Sequence, residues 1–262
     1  MRLLPGKHIL PKQLVRYKRF HRSKGHGIHS PFVFNLLTKV IREKGSYYRF
    51  HDIELLRKRL LQNNQEVVWP DMRRPSRVRK STIAEIVRKE AVSPKVGALL
   101  FRLVHYFQSK SILQIGSSMG LSTLYLTSCM PDISCVSLEP VEAFAAISQW
   151  TCREASAKVE QLTGHNEEQL AKALKRAEPY DFVFFNGRNE QYDTLHLFNR
   201  CMPHIAPEGI CVIEGIHKGK KRLDAWKSIC EKPEVTVTLD LYSVGIVFLH
   251  PKLHKRNYKL YY

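Results

Sequence analysis

Between residues 111 and 249, short apolar runs alternate with helical stretches, and this alternation constrains the fold more than any other feature of the chain. The runs are SILQI at 111–115, SCVSL at 134–138, KVEQL at 158–162, DFVFF at 181–185 and ICVIE at 210–214. Most are near-continuously apolar, without the strict alternation of a strand that has one wet face. Such runs fit parallel strands covered by helices on both sides. The rhythm breaks at EVTVTLDLYSVGIVFL, 234–249, where two strand-like runs are separated by only a short turn. A connection that short cannot return the chain for parallel pairing. It predicts a hairpin, with the final strand antiparallel to its neighbour.

The first 92 residues read differently. They are basic, rich in His and aromatics, and broken by Pro5, Pro11, Pro31, Pro70 and Pro75. SPFVFNLLTKVIRE predicts a helix capped by Ser30, with Pro31 at its first position. DIELLRKRLLQNN predicts another, with Asp52 as cap and Ile53, Leu56 and Leu60 on one face. STIAEIVRKE opens with a capping-box pattern. The expected organisation is a basic, mostly helical extension over 1–92, an α/β domain over 93–250 opened by the amphipathic helix SPKVGALLFRLVHYFQ, and a basic tail over 251–262.

Composition narrows the class of protein. A chain of 262 residues with 44% hydrophobic residues can bury a core without disulfides. Its six cysteines form no C-x-x-C pair, and none lies at zinc spacing from a His pair. They are expected to be reduced thiols of a soluble, cytoplasmic protein. No stretch approaches the roughly 20 apolar residues of a membrane helix. The net charge is +18, with ten Lys or Arg and no acid between Met1 and Arg42, and five more in RRPSRVRK at 73–80. Such segments attract polyanions. Nucleic acid bound through the basic N-terminal segment and a homodimer are partners left open at this point, beside a small-molecule or anionic substrate.

SILQIGSSMGLST, 111–123, has two readings. Gly116-Ser117-Ser118-Met119-Gly120 spells G-x-S-x-G, the nucleophile elbow of a hydrolase, which needs a later acid and then a later His. Asp181 or Glu214 followed by His217 or His250 would supply them. The same loop also reads as a glycine turn that cradles a nucleotide cofactor. That reading needs an acid at the end of the next strand, about 20 residues on, for the ribose hydroxyls. Glu139 stands there, 19 residues past Gly120 and just after SCVSL.

With the loop, Glu139 and the closing hairpin together, the chain from about Ser93 to Leu249 resembles the class I S-adenosylmethionine-dependent methyltransferases, and among them the small-molecule O-methyltransferases of the catechol and caffeoyl-CoA type. The resemblance implies a Rossmann-like sheet of seven strands in the order 3-2-1-4-5-7-6, the last antiparallel, with S-adenosyl-L-methionine as cofactor. By position it implies that Gln114, Gly116, Ser117, Ser118 and Gly120 line the methionine and ribose part, that Ser122 and Thr123 open the helix beneath, and that Glu139 holds the ribose. His165 and Asn166, in TGHNEEQL, fall beside the adenine, and Asn186 reaches the cofactor from the fourth strand.

The sequence departs from that family at the chemistry. Metal-dependent members read F-D-x-I-F-x-D-x-D-K-x-x-Y after the fourth strand, where this chain has YDFVFFNGRNEQY. Asp181 and Tyr192 match. Asn186 replaces a ligand, Arg188 an acid and Asn189 the lysine, and Glu214-Gly215 stands where Asp-Asn supplies further ligands. A hard divalent cation wants several anionic oxygens, so no catalytic metal is expected. The candidates left for chemistry are His217, in EGIHKGKK just past the fifth strand, with Asn186 and Glu214. An imidazole can act as a base near neutral pH; His217 would otherwise merely cap the next helix. The expected activity is metal-independent methyl transfer to an unidentified acceptor. The alternatives are a non-catalytic cofactor-binding scaffold of the same fold and an RNA-binding methyltransferase.

Overall fold

The computed structural model describes residues 28–71, 74–164, 166–176, 178–187, 193–260 and 262. Helix α1 (Pro31–Leu36), which continues as a π-turn over Leu37–Ile41, is followed by α2 (Tyr48–Gln62), an antiparallel ribbon of β1 (Glu66–Asp71) and β2 (Arg74–Thr82), α3 (Ile83–Glu90) and α4 (Pro94–Phe107). The alternating part then runs β3 (Ser111–Ile115), α5 (Leu121–Thr127), β4 (Ser134–Glu139), α6 (Glu142–Glu154), β5 (Glu160–Thr163), α7 (Asn166–Leu174), β6 (Tyr180–Phe185), α8 (Thr194–Cys201) and β7 (Ile205–Glu214). It closes with α9 (Lys220–Glu231), β8 (Val237–Asp240), β9 (Val244–Phe248) and β10 (Arg256–Lys259).

Strands β3 to β10 form one sheet in the order β10-β8-β9-β7-β6-β3-β4-β5. Counted from β3, the seven strands β5 to β8 have the expected 3-2-1-4-5-7-6 order, and β9 is antiparallel to both β7 and β8. The sheet has eight strands rather than seven. The extra one is β10, from the segment read as a basic tail, and it adds to the free edge of β8 in parallel register.

The apolar runs are buried on both faces. Phe182, Phe184, Ile210 and Val212 point into one core with α1 and α4, while Val183, Phe185, Cys211 and Ile213 point into the other with α7, α8 and α9. Alternate residues facing two covered sides explain why these strands read as continuous hydrophobic runs. A third cluster gathers α2, α3 and α6 around Met119 of the glycine loop.

Three caps follow from the sequence. Ser30 Oγ accepts from Val33 N–H at 3.4 Å, Ser93 Oγ accepts from Val96 N–H at 3.3 Å, and Thr82 and Glu85 complete the capping box. Asp52 is not a cap. Helix α2 starts a turn earlier, after Tyr47, because Phe50 packs at 5.0 Å edge-on to Phe101 and 5.4 Å from Tyr125. The ribbon β1–β2 was also not anticipated in a segment read as mostly helical. Its inward face carries Val67 and Trp69, with Trp69 5.0 Å from Phe144 at the start of α6. This places the ribbon beside the carboxyl end of β4. Among the described residues no helix is long and apolar enough to cross a membrane.

Candidate functional site

At the carboxyl end of β3 the chain turns through a run of left-handed conformations: Gly116 at φ +90°, Ser118 at +52°, Met119 at +58° and Gly120 at +82°. Two of the four are not glycine, a conformation that costs about 1 kcal/mol or more apiece and persists only where surroundings hold it. Ser118 is held through its side chain. Its Oγ accepts from Val92 N–H at 2.8 Å and donates to the Glu90 carbonyl at 3.4 Å, tying the loop to the α3–α4 linker. A hydroxyl engaged in this way is a strut rather than a nucleophile poised against an imidazole, and the elbow reading is set aside. Gly120 has a packing reason. A Cβ there would fall 2.8 Å from Thr151 Cβ and 2.9 Å from the Ser148 carbonyl oxygen, so the glycine lets the loop sit on α6.

Below the loop lies a buried polar network. Gln114 Nε2 donates to the Gly116 carbonyl at 2.8 Å and to Ser122 Oγ at 2.8 Å, while Gln114 Oε1 accepts from Thr123 Oγ1 at 2.9 Å. All three side chains are fully buried. The structure therefore places Gln114, Ser122 and Thr123 behind the loop as its buttress.

Glu139 ends β4 directly across from that loop. Its Oε2 accepts from Ser117 N–H at 3.1 Å and Ser117 Oγ at 2.8 Å, and its Oε1 accepts from Val141 N–H at 3.2 Å. Burial pushes its carboxyl up to about 7, against the pull of the Ser117 and Val141 hydrogen bonds, and the charge of Glu90 adds to the rise. Glu139 and the 116–120 turn are thus one hydrogen-bonded unit at the sheet's carboxyl edge, where ligands of open α/β sheets bind.

The next stations along that edge are Asn186, after β6, and Glu214, at the end of β7; both are buried. Asn186 N–H donates to the Ile115 carbonyl at 2.9 Å, which fixes it beside the glycine turn. Gly187 and Glu214 touch backbone to backbone, so that a Cβ on Gly187 would lie 1.5 Å from the Glu214 oxygen. Arg222 of α9 reaches between the two turns. Its Nη1 would lie 2.6 Å from a Cβ at Gly187 and 3.0 Å from one at Gly215. Sequence reasoning missed Arg222, whose signal was a glycine in each turn making room for a planar head group.

His217 is drawn elsewhere. Its Nε2 is 2.9 Å from Asp240 Oδ2, and its ring stacks on Tyr242 at 4.9 Å. Asp240 ends β8, three places in the sheet from β6. At about 4.8 Å per strand that is roughly 14 Å. The contacts of the His217 ring are thus with Asp240 at the end of β8 and with Tyr242 after it. Asp181, matched by sequence, sits at the opposite edge of the sheet, where its Oδ2 accepts from Lys110 and Ser111 N–H at 2.9 and 3.0 Å. Asn166 opens α7. His165 and the stretch 188–192, with Arg188, Asn189 and Tyr192, lie outside the described residues. Among the described residues no group of three or more His, Cys, Asp or Glu is placed to hold a metal ion.

This sheet order, with a carboxylate facing a left-handed turn across its first two strands, is the class I methyltransferase fold. Residues 113–216, which run from β3 to just past β7, match the family model described as a methyltransferase domain. Among solved structures, the chain is similar to an O-methyltransferase from Bacillus cereus in complex with SAH, with 17% identity, a TM-score of 0.58, and coverage of 88% of this chain and 99% of that one. It is also similar to the O-methyltransferase TomG from Streptomyces achromogenes in complex with SAM, with 17% identity, a TM-score of 0.56, and coverage of 90% and 98%. A third is the SAH-bound methyltransferase PaMTH1 from Podospora anserina, with 14% identity, a TM-score of 0.58, and coverage of 95% and 98%. No curated protein sequence matches the chain.

Proposed function

We propose that this protein is an S-adenosylmethionine-dependent methyltransferase that works without a catalytic metal on a small acceptor, and that residues 93–250 form the cofactor-binding unit. One observation carries the reading: the buried carboxylate of Glu139 facing the left-handed 116–120 turn. A carboxylate offers about four lone-pair positions. Three are used, two at Oε2 by Ser117 and one at Oε1 by Val141, so Oε1 retains acceptor capacity for a ribose hydroxyl. The residues fit the cofactor on that count. Glu139 would hold the ribose, the 116–118 backbone would lie along the methionine part, and Asn186 would stand beside the sulfonium. The cofactor supplies an activated methyl group; the protein's share is to position an acceptor in line with it and to exclude water.

The acceptor side is framed by Asn186, Gly187, Glu214 and Gly215, with Arg222 between the turns. Asn186 and Glu214 offer few anionic oxygens for a divalent cation, and the Arg222 guanidinium beside them opposes one. This supports the metal-free reading. A base is needed only if the acceptor keeps its proton, and Glu214 is better placed for that than His217. The tests are calorimetric titration with S-adenosylhomocysteine and turnover with and without EDTA on a panel of phenols and carboxylates. Absence of binding to the full chain would overturn the cofactor assignment, and turnover abolished by EDTA and restored by Mg2+ would overturn the metal-free one. His217→Ala is expected to leave kcat within about threefold and to lower thermal stability by loosening the 240–244 turn. A hundredfold fall in kcat with unchanged stability would return His217 to the catalytic set.

A second reading, an RNA acceptor, is favoured by the β1–β2 ribbon, whose Arg74, Arg77, Arg79 and Lys80 are all exposed. Retention of RNA that weakens steeply with salt, and weakens further on charge reversal at Arg74 and Arg77, is its signature.

A further inference from the structure

A cavity of about 720 Å3 opens on the helical face of the molecule, among segment 41–46, α2, the first half of α4 and Tyr262. None of its lining residues belongs to the Glu139 unit or to the Asn186–Glu214 edge. Its volume falls inside the range of about 300–1,000 Å3 typical of small-molecule sites.

The chemistry of its wall is two-sided. Phe50 and Tyr262 give aromatic surface, with the buried Tyr125 behind them, and Arg42, Lys44, Lys95 and Arg102 set four cations against two carboxylates, Glu43 and Glu54. Both carboxylates have partners within the wall. Glu54 Oε1 accepts from the Tyr125 hydroxyl and from Arg57 Nε, each at 2.9 Å, and the Glu43 carboxylate accepts from Gly45 N–H. Behind Glu54 the Arg57 guanidinium pairs with that carboxylate at 2.9 Å and neutralises it. Arg102 is spent on the frame. Its Nε donates to the Ala98 carbonyl at 3.0 Å, Nη1 to the Glu43 carbonyl and Nη2 to Tyr262 Oη at 3.0 Å. Lys95 Nζ stands 4.4 Å over the Tyr262 ring. Arg42 and Lys44 are exposed at the rim.

We propose that this cavity is a second binding site, for an aromatic anion: a flat ring system carrying a carboxylate, sulfonate or phosphate. The ring lies between Phe50 and Tyr262, and the anionic group meets Arg42 and Lys44. An aromatic slot alone would take any flat apolar molecule, and a cationic rim alone would take any anion. The combination selects both properties at once. The site stands apart from the methyl-transfer reading and does not rest on it.

The test is a fluorescence titration of the full chain with 8-anilinonaphthalene-1-sulfonate. Saturable binding to one site is expected, displaced by 1-naphthoate but not by 1-naphthalenemethanol or, at matched ionic strength, by inorganic phosphate. Ala98→Trp, which sets an indole into the cavity between its aromatic wall and its rim, is expected to abolish it. Arg42→Glu with Lys44→Glu is expected to weaken it about tenfold, the scale of removing paired charges from a recognition site. Circular dichroism and S-adenosylhomocysteine affinity should be unchanged in both. Binding that does not saturate, or that survives both variants, overturns the site. Displacement by the neutral alcohol as good as by naphthoate overturns the anion assignment, and displacement by phosphate overturns the ring. Should Ala98→Trp fail to fold, the exposed rim pair carries the test, and an unchanged dissociation constant there overturns the proposal.

Discussion

At the scale of single residues, Glu139 joins stability to function. Its carboxyl is raised from 4.5 to about 7 by burial. A group with a raised carboxyl pKa binds more protons folded than unfolded between those values, so its contribution to stability is full below about pH 4.5 and is lost as pH rises through about 7. The shift corresponds to about 3 kcal/mol. Urea unfolding of the wild type should therefore lose stability between pH 5 and 7.5, and Glu139→Gln should remove that component. A parallel pH dependence in the variant would sink the assignment. Ribose hydroxyls donate to the ionised form, so S-adenosylhomocysteine should bind more tightly at pH 8 than at pH 6 and release a proton on binding near pH 7. Calorimetry in buffers of different ionisation enthalpy reads that proton directly. The variant should bind at least tenfold more weakly, since a hydroxyl then loses a charged acceptor. Glu139 was legible from its spacing to the glycine turn, because strand length and loop length fix that distance along the chain. Its hold on Ser117 was not legible, and neither was the turning of Gln114 inward. Pattern says that a position is buried, while the partner of a buried polar group is set by neighbours distant in sequence.

At the scale of elements, the glycine turn is a packing device as well as the proposed ligand cradle. Gly120 sits at φ +82° with Thr151 and Ser148 of α6 against it, so Gly120→Ala adds both backbone strain and a clash. A left-handed alanine costs about 1–2 kcal/mol, and overpacking adds about 1–3 kcal/mol. Denaturant unfolding should show a loss of about 2–5 kcal/mol, together with weaker cofactor binding as the turn moves off α6. A loss under 1 kcal/mol would mean that the turn tolerates a side chain and that the G-x-x-x-G spacing has another cause. The spacing announced the turn, but the helix it packs on follows the next strand and could not be read from it. The β1–β2 ribbon was missed for a related reason. Proline at 70 and 75 and a run of exposed charge argue locally against strands, and only the contact of Trp69 with Phe144 makes the inward face of the ribbon worth forming.

At the scale of the whole molecule, the two described ends of the chain close on one core. Val33, Leu36 and Val40 from the α1 segment share a cluster with Tyr258 and Leu260, and Tyr262 Oη donates to the Lys95 carbonyl on α4 at 2.7 Å. Strand β10 also covers the edge of β8, with Arg256 N–H donating to the Thr236 carbonyl at 2.7 Å and Thr238 Oγ1 to Asn257 Oδ1 at 2.8 Å. The period-two run Tyr258, Leu260, Tyr262 was the signal for this strand. It was masked by the positive charge interleaved with it, which made the segment read as a basic tail. Removing residues 251–262 should therefore cost more than the loss of a tail. Two buried side chains, at about 1.5–3 kcal/mol each, put the loss at about 3–6 kcal/mol. The uncovered β8 edge, with Val237 and Leu239 behind it, should pair with other copies. Thermal unfolding and size-exclusion chromatography across a range of protein concentrations check both effects. A truncated chain that melts with the full one and stays monomeric would show that β10 lies on the sheet without holding it, and that the eighth strand is an ornament on a seven-stranded fold.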